Sequence, residues 1–210
     1  TASNNTAVGD ATLTANTTGD TNTAVGSASM SSNTTGSFNA ALGYNTMAAN
    51  TEGESNVAIG WGALDANTTA DNNTAVGKSS LTTNTTGADN TAVGMNSLNS
   101  NTTASFNTAM GKNSMEANTT GANNTAYGRE SLASNTTASN NTAIGYNSLL
   151  VNTTGIQNTA VGSLALDANT TGQFNVAVGK GCASANTTGE KNVAIGTDAL
   201  GSNTTADNNT

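Results

Sequence analysis

The chain has 210 residues, with 5 basic and 13 acidic side chains, a net charge of -8 and no His or Pro. Without a basic stripe to neutralise phosphates it is unsuited to nucleic acid or an anionic membrane. No apolar run is long enough to span a membrane, and the single Cys excludes an intramolecular disulfide.

One unit recurs along the whole chain with a 17-residue period, without insertion or deletion. After Thr1-Ala2-Ser3-Asn4, twelve coils begin at Asn5, Asn22, Asn39, Asn56, Asn73, Asn90, Asn107, Asn124, Asn141, Asn158, Asn175 and Asn192. Residues 1–210 therefore read as a single repeat array, expected to be a segment of a longer fibre. A period this short implies one-dimensional stacking of similar coils. It is too short for a two-helix unit, so an all-β parallel β-roll or β-solenoid is predicted.

Numbering each coil from its first Asn, column 1 is always Asn, column 3 always Ala and column 5 always Gly. Column 2 is Thr in eight coils, with Ala40, Val57, Val176 and Val193 in the other four. Column 4 is large and mainly apolar. Columns 2 to 4 predict a first short strand, and Gly in column 5 a corner or close backbone approach. Columns 7 to 11, around a Leu or Met in column 9, predict a second strand. Columns 12 to 15, mostly Asn-Thr-Thr-Gly, predict the return turn, with Asn bonding to nearby backbone and Gly taking positive φ.

Stacking places equal columns above one another. Asn5, Asn22, Asn39 and Asn56 in column 1 and Asn16, Asn33, Asn50 and Asn67 in column 12 are expected to form amide ladders. Val8, Val25, Leu42 and Ile59 in column 4, with Leu13, Met30, Met47 and Leu64 in column 9, are expected to form the core. No charge enters columns 1 to 5, 8, 9, 12 or 13, so these are expected to be buried or committed to ladders. With two large apolar side chains per coil, the core is thin for an isolated chain, and association through one face is the natural remedy.

Column 6 holds Tyr44, Trp61 and Tyr146 beside Lys78, Lys112, Arg129 and Lys180, and is expected to be an exposed ridge and a possible surface contact. Phe38, Phe106 and Phe174 in column 17 recur in every fourth coil. Gene duplication accounts for that spacing; a contact repeated every four coils is the sharper reading.

Asn56-Val57-Ala58-Ile59-Gly60 and Asn192-Val193-Ala194-Ile195-Gly196 resemble the head repeats of YadA-like trimeric autotransporter adhesins. Asn141-Thr142-Ala143-Ile144-Gly145-Tyr146, with the recurring Leu and Asn-Thr-Thr-Gly, is similar to bacteriophage tail-fibre repeats. The resemblance implies a left-handed homotrimer outside the cell, on its surface or on a virion. Its partners would be further copies of itself and a cell-surface glycan or protein.

Chemistry is sparse. Cys182 stands in a column otherwise held by Ser, Thr and Ala, and so reads as a core substitute. The carboxylates form no paired column for acid–base work. No enzyme, cofactor or metal is expected. A structural fibre or adhesin segment is the leading expectation. The alternative is an ice-binding solenoid that presents Thr18, Thr35, Thr69 and Thr86, although Glu52 interrupts that column.

Overall fold

The computed structural model describes residues 2–210. It divides into two compact units, the first ending at Phe106 and the second spanning Asn107–Thr210. The first contains β1 (Thr6–Val8), β2 (Thr23–Val25), β3 (Ala40–Leu42), β4 (Val57–Ile59), β5 (Thr74–Val76) and β6 (Thr91–Val93). The second contains β7 (Thr108–Met110), β8 (Thr125–Tyr127), β9 (Thr142–Ile144), β10 (Thr159–Val161), β11 (Val176–Val178) and β12 (Val193–Ile195). Within each unit, consecutive strands pair in parallel and in register: Val57 lies on Thr74 and Ala58 on Ala75, as Val176 lies on Val193 and Ala177 on Ala194. The chain is thus an all-β solenoid with one 17-residue coil per strand.

The coil of residues 73–89 illustrates the construction. Thr74 N–H donates forward to Asn90 O at 2.8 Å, and Gly77 N–H donates back to Ile59 O at 2.8 Å. This slanted exchange with both neighbours is the parallel ladder. Past the strand, Ser79 N–H donates back to Trp61 O at 2.9 Å and Leu81 N–H donates forward to Ser97 O at 3.0 Å. Coil-to-coil bonding therefore continues through columns 7 to 11, but the predicted second strand does not form. The backbone at columns 7 and 9 is left-handed, with φ of 54° at Ser79 and 52° at Leu81. Alternating left-handed positions coil the backbone tightly and break the extended run.

A third left-handed position is column 17, where Asp89 has a φ of 57°. Column 15, expected to supply positive φ, does not; the corners turn at columns 5, 7, 9 and 17 instead. Column 15 is tight rather than left-handed, and holds Gly in eight coils and Ala in four, Ala70, Ala104, Ala138 and Ala206. A Cβ on Gly19 would lie 2.5 Å from Asn16 Oδ1 and against the carbonyl oxygen of Gly36. In column 5 both reasons combine. Gly77 has a φ of 138°, and a Cβ there would lie 2.6 Å from the carbonyl carbon of Gly94.

The interior is narrower than the sequence suggests. Met30, Met47 and Leu64 are fully buried, as are Leu81, Leu98, Met115, Leu132, Leu149 and Leu166; Leu13, in the first coil, is half-buried. Column 3 Ala is buried beside them, from Ala24 onward. Column 4 is not part of this core, contrary to expectation. Val8, Leu42 and Ile59 are exposed, and Val25 is half-buried. The reason is the strand's period of two: with Asn of column 1 and Ala of column 3 inside, columns 2 and 4 must face out.

Candidate functional site

Two features dominate the chemistry: a polar spine inside each unit and an uncharged sheet face outside it.

The spine is built from two Asn per coil that converge on one carbonyl. Asn73 Nδ2 donates to Gly87 O at 2.9 Å, and Asn84 Nδ2 donates to the same oxygen at 2.8 Å. Column 12 then links coil to coil through amides. Asn33 Nδ2 donates to Asn16 Oδ1 at 2.9 Å, Asn50 Nδ2 to Asn33 Oδ1 at 2.8 Å, and Asn67 Nδ2 to Asn50 Oδ1 at 2.8 Å. Column 1 works differently, because its oxygen serves mainly the backbone. Asn22 N–H donates to Asn5 Oδ1 at 2.8 Å, Asn39 N–H to Asn22 Oδ1 at 3.0 Å, and Asn56 N–H to Asn39 Oδ1 at 2.9 Å. Asn5 and Asn16 are half-buried in the first coil, and the other six are buried. In a core with so few large side chains, this spine answers the requirement that buried polar groups be bonded. It also fixes register, since slipping the chain by one position would separate every pair.

The outer face consists of columns 2 and 4. In the first unit it presents Thr6, Thr23, Ala40, Val57, Thr74 and Thr91 beside Val8, Val25, Leu42, Ile59, Val76 and Val93. In the second it presents Thr108, Thr125, Thr142, Thr159, Val176 and Val193 beside Met110, Tyr127, Ile144, Val161, Val178 and Ile195. All of these side chains are exposed or half-buried. None carries a charge; the 5 basic and 13 acidic side chains all stand in other columns. Column 4 is thus an uncharged apolar row, flanked in eight coils by the Thr of column 2.

The column 6 ridge is exposed, as its composition predicts. Tyr44, Trp61 and Tyr146 are about half exposed. Lys78 Nζ sits 5.1 Å from the Trp61 ring centroid, and the Arg129 guanidinium 5.6 Å from that of Tyr146. Both pairs join neighbouring coils. Phe38, Phe106 and Phe174 are also exposed, and all three are left-handed, with φ of 61°, 62° and 59°.

Cys182 is buried and donates to Ala194 O at 3.0 Å. Ser114 makes the equivalent bond to Ala126 O at 3.2 Å, so Cys stands in for Ser. Burial pushes the Cys182 thiol above its ordinary pKa. Among the described residues no three His, Cys, Asp or Glu side chains gather as a metal site, no pocket opens within either unit, and no helix is long and apolar enough to cross a membrane.

The exposed face is what the sequence reading missed. Its signal was available: invariant Ala in column 3 beside column 4, where Val, Leu, Ile, Met and Tyr interchange, is the pattern of an inner and an outer position on one strand. No family model, curated protein or solved structure matches the chain.

Proposed function

We propose that this chain is the structural segment of a fibre or adhesin, which self-associates through the outer sheet face and holds attachment surfaces away from its base. The observation that carries the reading is the uncharged apolar face of columns 2 and 4, exposed in a single chain. Burying it against further copies removes apolar surface from water, at roughly 25 cal/mol per Å². It brings no charge of either sign into the contact, while the 13 acidic residues stay on the other columns. Three chains wound left-handedly about a common axis are the arrangement that the repeat's resemblance to autotransporter heads favours. Such a rod belongs outside the cell, on its surface or on a virion. Tyr44, Trp61 and Tyr146 are its candidate contacts to a cell-surface glycan or protein.

Sedimentation of the full chain across a range of concentrations tests this reading. An elongated species of three chains is expected; a monomer at every concentration contradicts it.

A second reading rests on one observation. Thr18, Thr35, Thr69 and Thr86 form an exposed row in column 14, broken in the third coil by exposed Glu52. Regularly spaced Thr of this kind suits an ice-binding surface. Thermal hysteresis in dilute solution is its test, and the absence of hysteresis from a self-associated rod removes it.

A further inference from the structure

One motif of the chain is sorted by the fold into two classes. Asn-X-Ser/Thr, with X other than Pro, is the acceptor signal for sugar attached to an asparagine amide. It occurs in columns 12 and 17 and in no other. Column 12 supplies eleven, since Thr follows two residues on in every coil except that of Asn50, which meets Glu52. Column 17 supplies five, at Asn4, Asn72, Asn123, Asn140 and Asn208, each followed by the Thr of column 2. Where column 2 departs from Thr, at Ala40, Val57, Val176 and Val193, column 17 holds Phe38, Ser55, Phe174 and Lys191, never Asn.

The fold closes the first class. Transfer of sugar needs the amide nitrogen, and in column 12 that nitrogen lies inside the coil and already donates twice. Asn67 Nδ2 donates to Asn50 Oδ1 at 2.8 Å and to Ala70 O at 3.0 Å; Asn135 Nδ2 donates to Asn118 Oδ1 at 2.8 Å and to Ala138 O at 2.9 Å. Both side chains are fully buried. The second class is open. Asn4, Asn72, Asn123, Asn140 and Asn208 are all exposed. Asn72 N–H donates to Glu54 O and Asn140 N–H to Ala122 O, each at 3.1 Å, so the main chain is fixed while the side chain meets solvent. Column 1 turns inward, as at fully buried Asn73, and the columns on either side of it stay accessible: Thr125 is exposed, and Thr74 and Thr142 are half-buried. The left-handed backbone of column 17 favours Asn as a residue type. It does not supply the accessible hydroxyl two residues on, which the acceptor signal requires.

We infer that the chain is an acceptor for N-linked sugar at the asparagines of column 17, and that the amide spine closes column 12 to the same reaction. The co-substrate is a sugar activated as a phosphate ester of a nucleotide or a lipid. Asn Nδ2 bonds to the anomeric carbon as the bond from that carbon to the phosphate oxygen breaks. The amide proton passes to a base of the transferase, and the phosphate departs with its nucleotide or lipid. Each acceptor and its Thr belong to one short segment of one unit. The inference is independent of the fibre reading, since a single chain presents the same amides.

The test offers the folded full chain both kinds of donor in separate arms. One is UDP-glucose with a soluble glucosyltransferase that reads Asn-X-Ser/Thr; the other is a lipid pyrophosphate oligosaccharide with an oligosaccharyltransferase. Added sugar is mapped by peptide mass spectrometry, with circular dichroism as the check on folding. A peptide of residues 63–78, which carries Asn67 and Asn72 without the fold, is the comparison. The peptide is expected to take sugar at both asparagines. The folded chain is expected to take it at Asn72, Asn123 and Asn140, and not at Asn67, from at least one donor. Thr74→Val should abolish modification at Asn72 and leave Asn140 unchanged, while Thr74→Ser should retain both. A folded chain that refuses both donors at every column 17 Asn overturns the acceptor assignment. Modification of Asn67 and Asn72 to the same extent in the folded chain overturns the exclusion by the spine. Full modification of Asn72 in Thr74→Val overturns the role of the column 2 hydroxyl.

Discussion

Columns 3 and 4 are adjacent in every coil, yet they meet opposite conditions. Ala75 has no exposed surface and lies on Ala58 and Ala92 above and below it, while its neighbour Val76 faces outward. The inside restricts size: nothing larger than Ala occurs in column 3. The outside restricts charge but not size, since Val, Leu, Ile, Met and Tyr all occur in column 4. The core is therefore one Leu or Met in most coils with the Ala of column 3 and the Asn spine.

Mutations on the two sides should separate them. The largest effect is expected at the close approach inside. Gly77→Ala puts a Cβ 2.6 Å from the Gly94 carbonyl carbon at a φ of 138°; it should cost about 3 kcal/mol or more, read by thermal denaturation. Leu81→Ala, at a fully buried site, should cost about 2–5 kcal/mol. Val76→Ala, on the outer face, should cost under about 0.5 kcal/mol in dilute single chains. Equal losses for Leu81→Ala and Val76→Ala would erase the distinction between core and face.

The spine comes next. Asn84→Ala removes an amide that bonds Gly87 O at 2.8 Å and accepts from Asn101 Nδ2 at 2.8 Å. A loss of about 1–3 kcal/mol is expected, because the abandoned groups remain buried. A neutral Asn84→Ala would mean that the spine sets register without adding stability.

The smallest effect concerns Asp65 and Asp167 in column 10. Burial raises both carboxyl pKa values, and one buried oxygen of Asp167 has no partner. A raised folded-state pKa favours the protonated form. The associated stability is fully present below the unfolded pKa and is lost as pH rises through the folded one. Asp167→Asn should therefore raise the melting temperature slightly at pH 7 and flatten its decline through the carboxylate range. An unchanged pH profile would contradict that burial cost.

Much of this was legible in the residues. The 17-residue period fixes the coil, and strands at columns 2 to 4 follow from Thr, Ala and Val together. Asn16 and its equivalents announce a ladder because an invariant amide in a stacked coil meets its own copy. Two parts were not legible. Leu81 at a φ of 52° gives no local sign of a left-handed backbone, since Leu normally avoids it; coil closure and burial impose it. The outward direction of Val8, Val25, Leu42 and Ile59 was hidden by their hydrophobicity, which reads as core until the strand's alternation is enforced. For the site, Tyr44, Trp61 and Tyr146 were legible as exposed because charges share their column.

Thiol labelling tests the central claim most directly. In a Cys182→Ser background, Ala75→Cys and Val76→Cys place one thiol inside the coil and one on the face. The account predicts that the thiol at position 76 reacts rapidly in dilute solution and becomes protected as concentration rises, while that at position 75 is protected throughout. A thiol at position 76 that is protected at every concentration would place column 4 inside the coil; one that reacts equally at every concentration would leave the face uncovered.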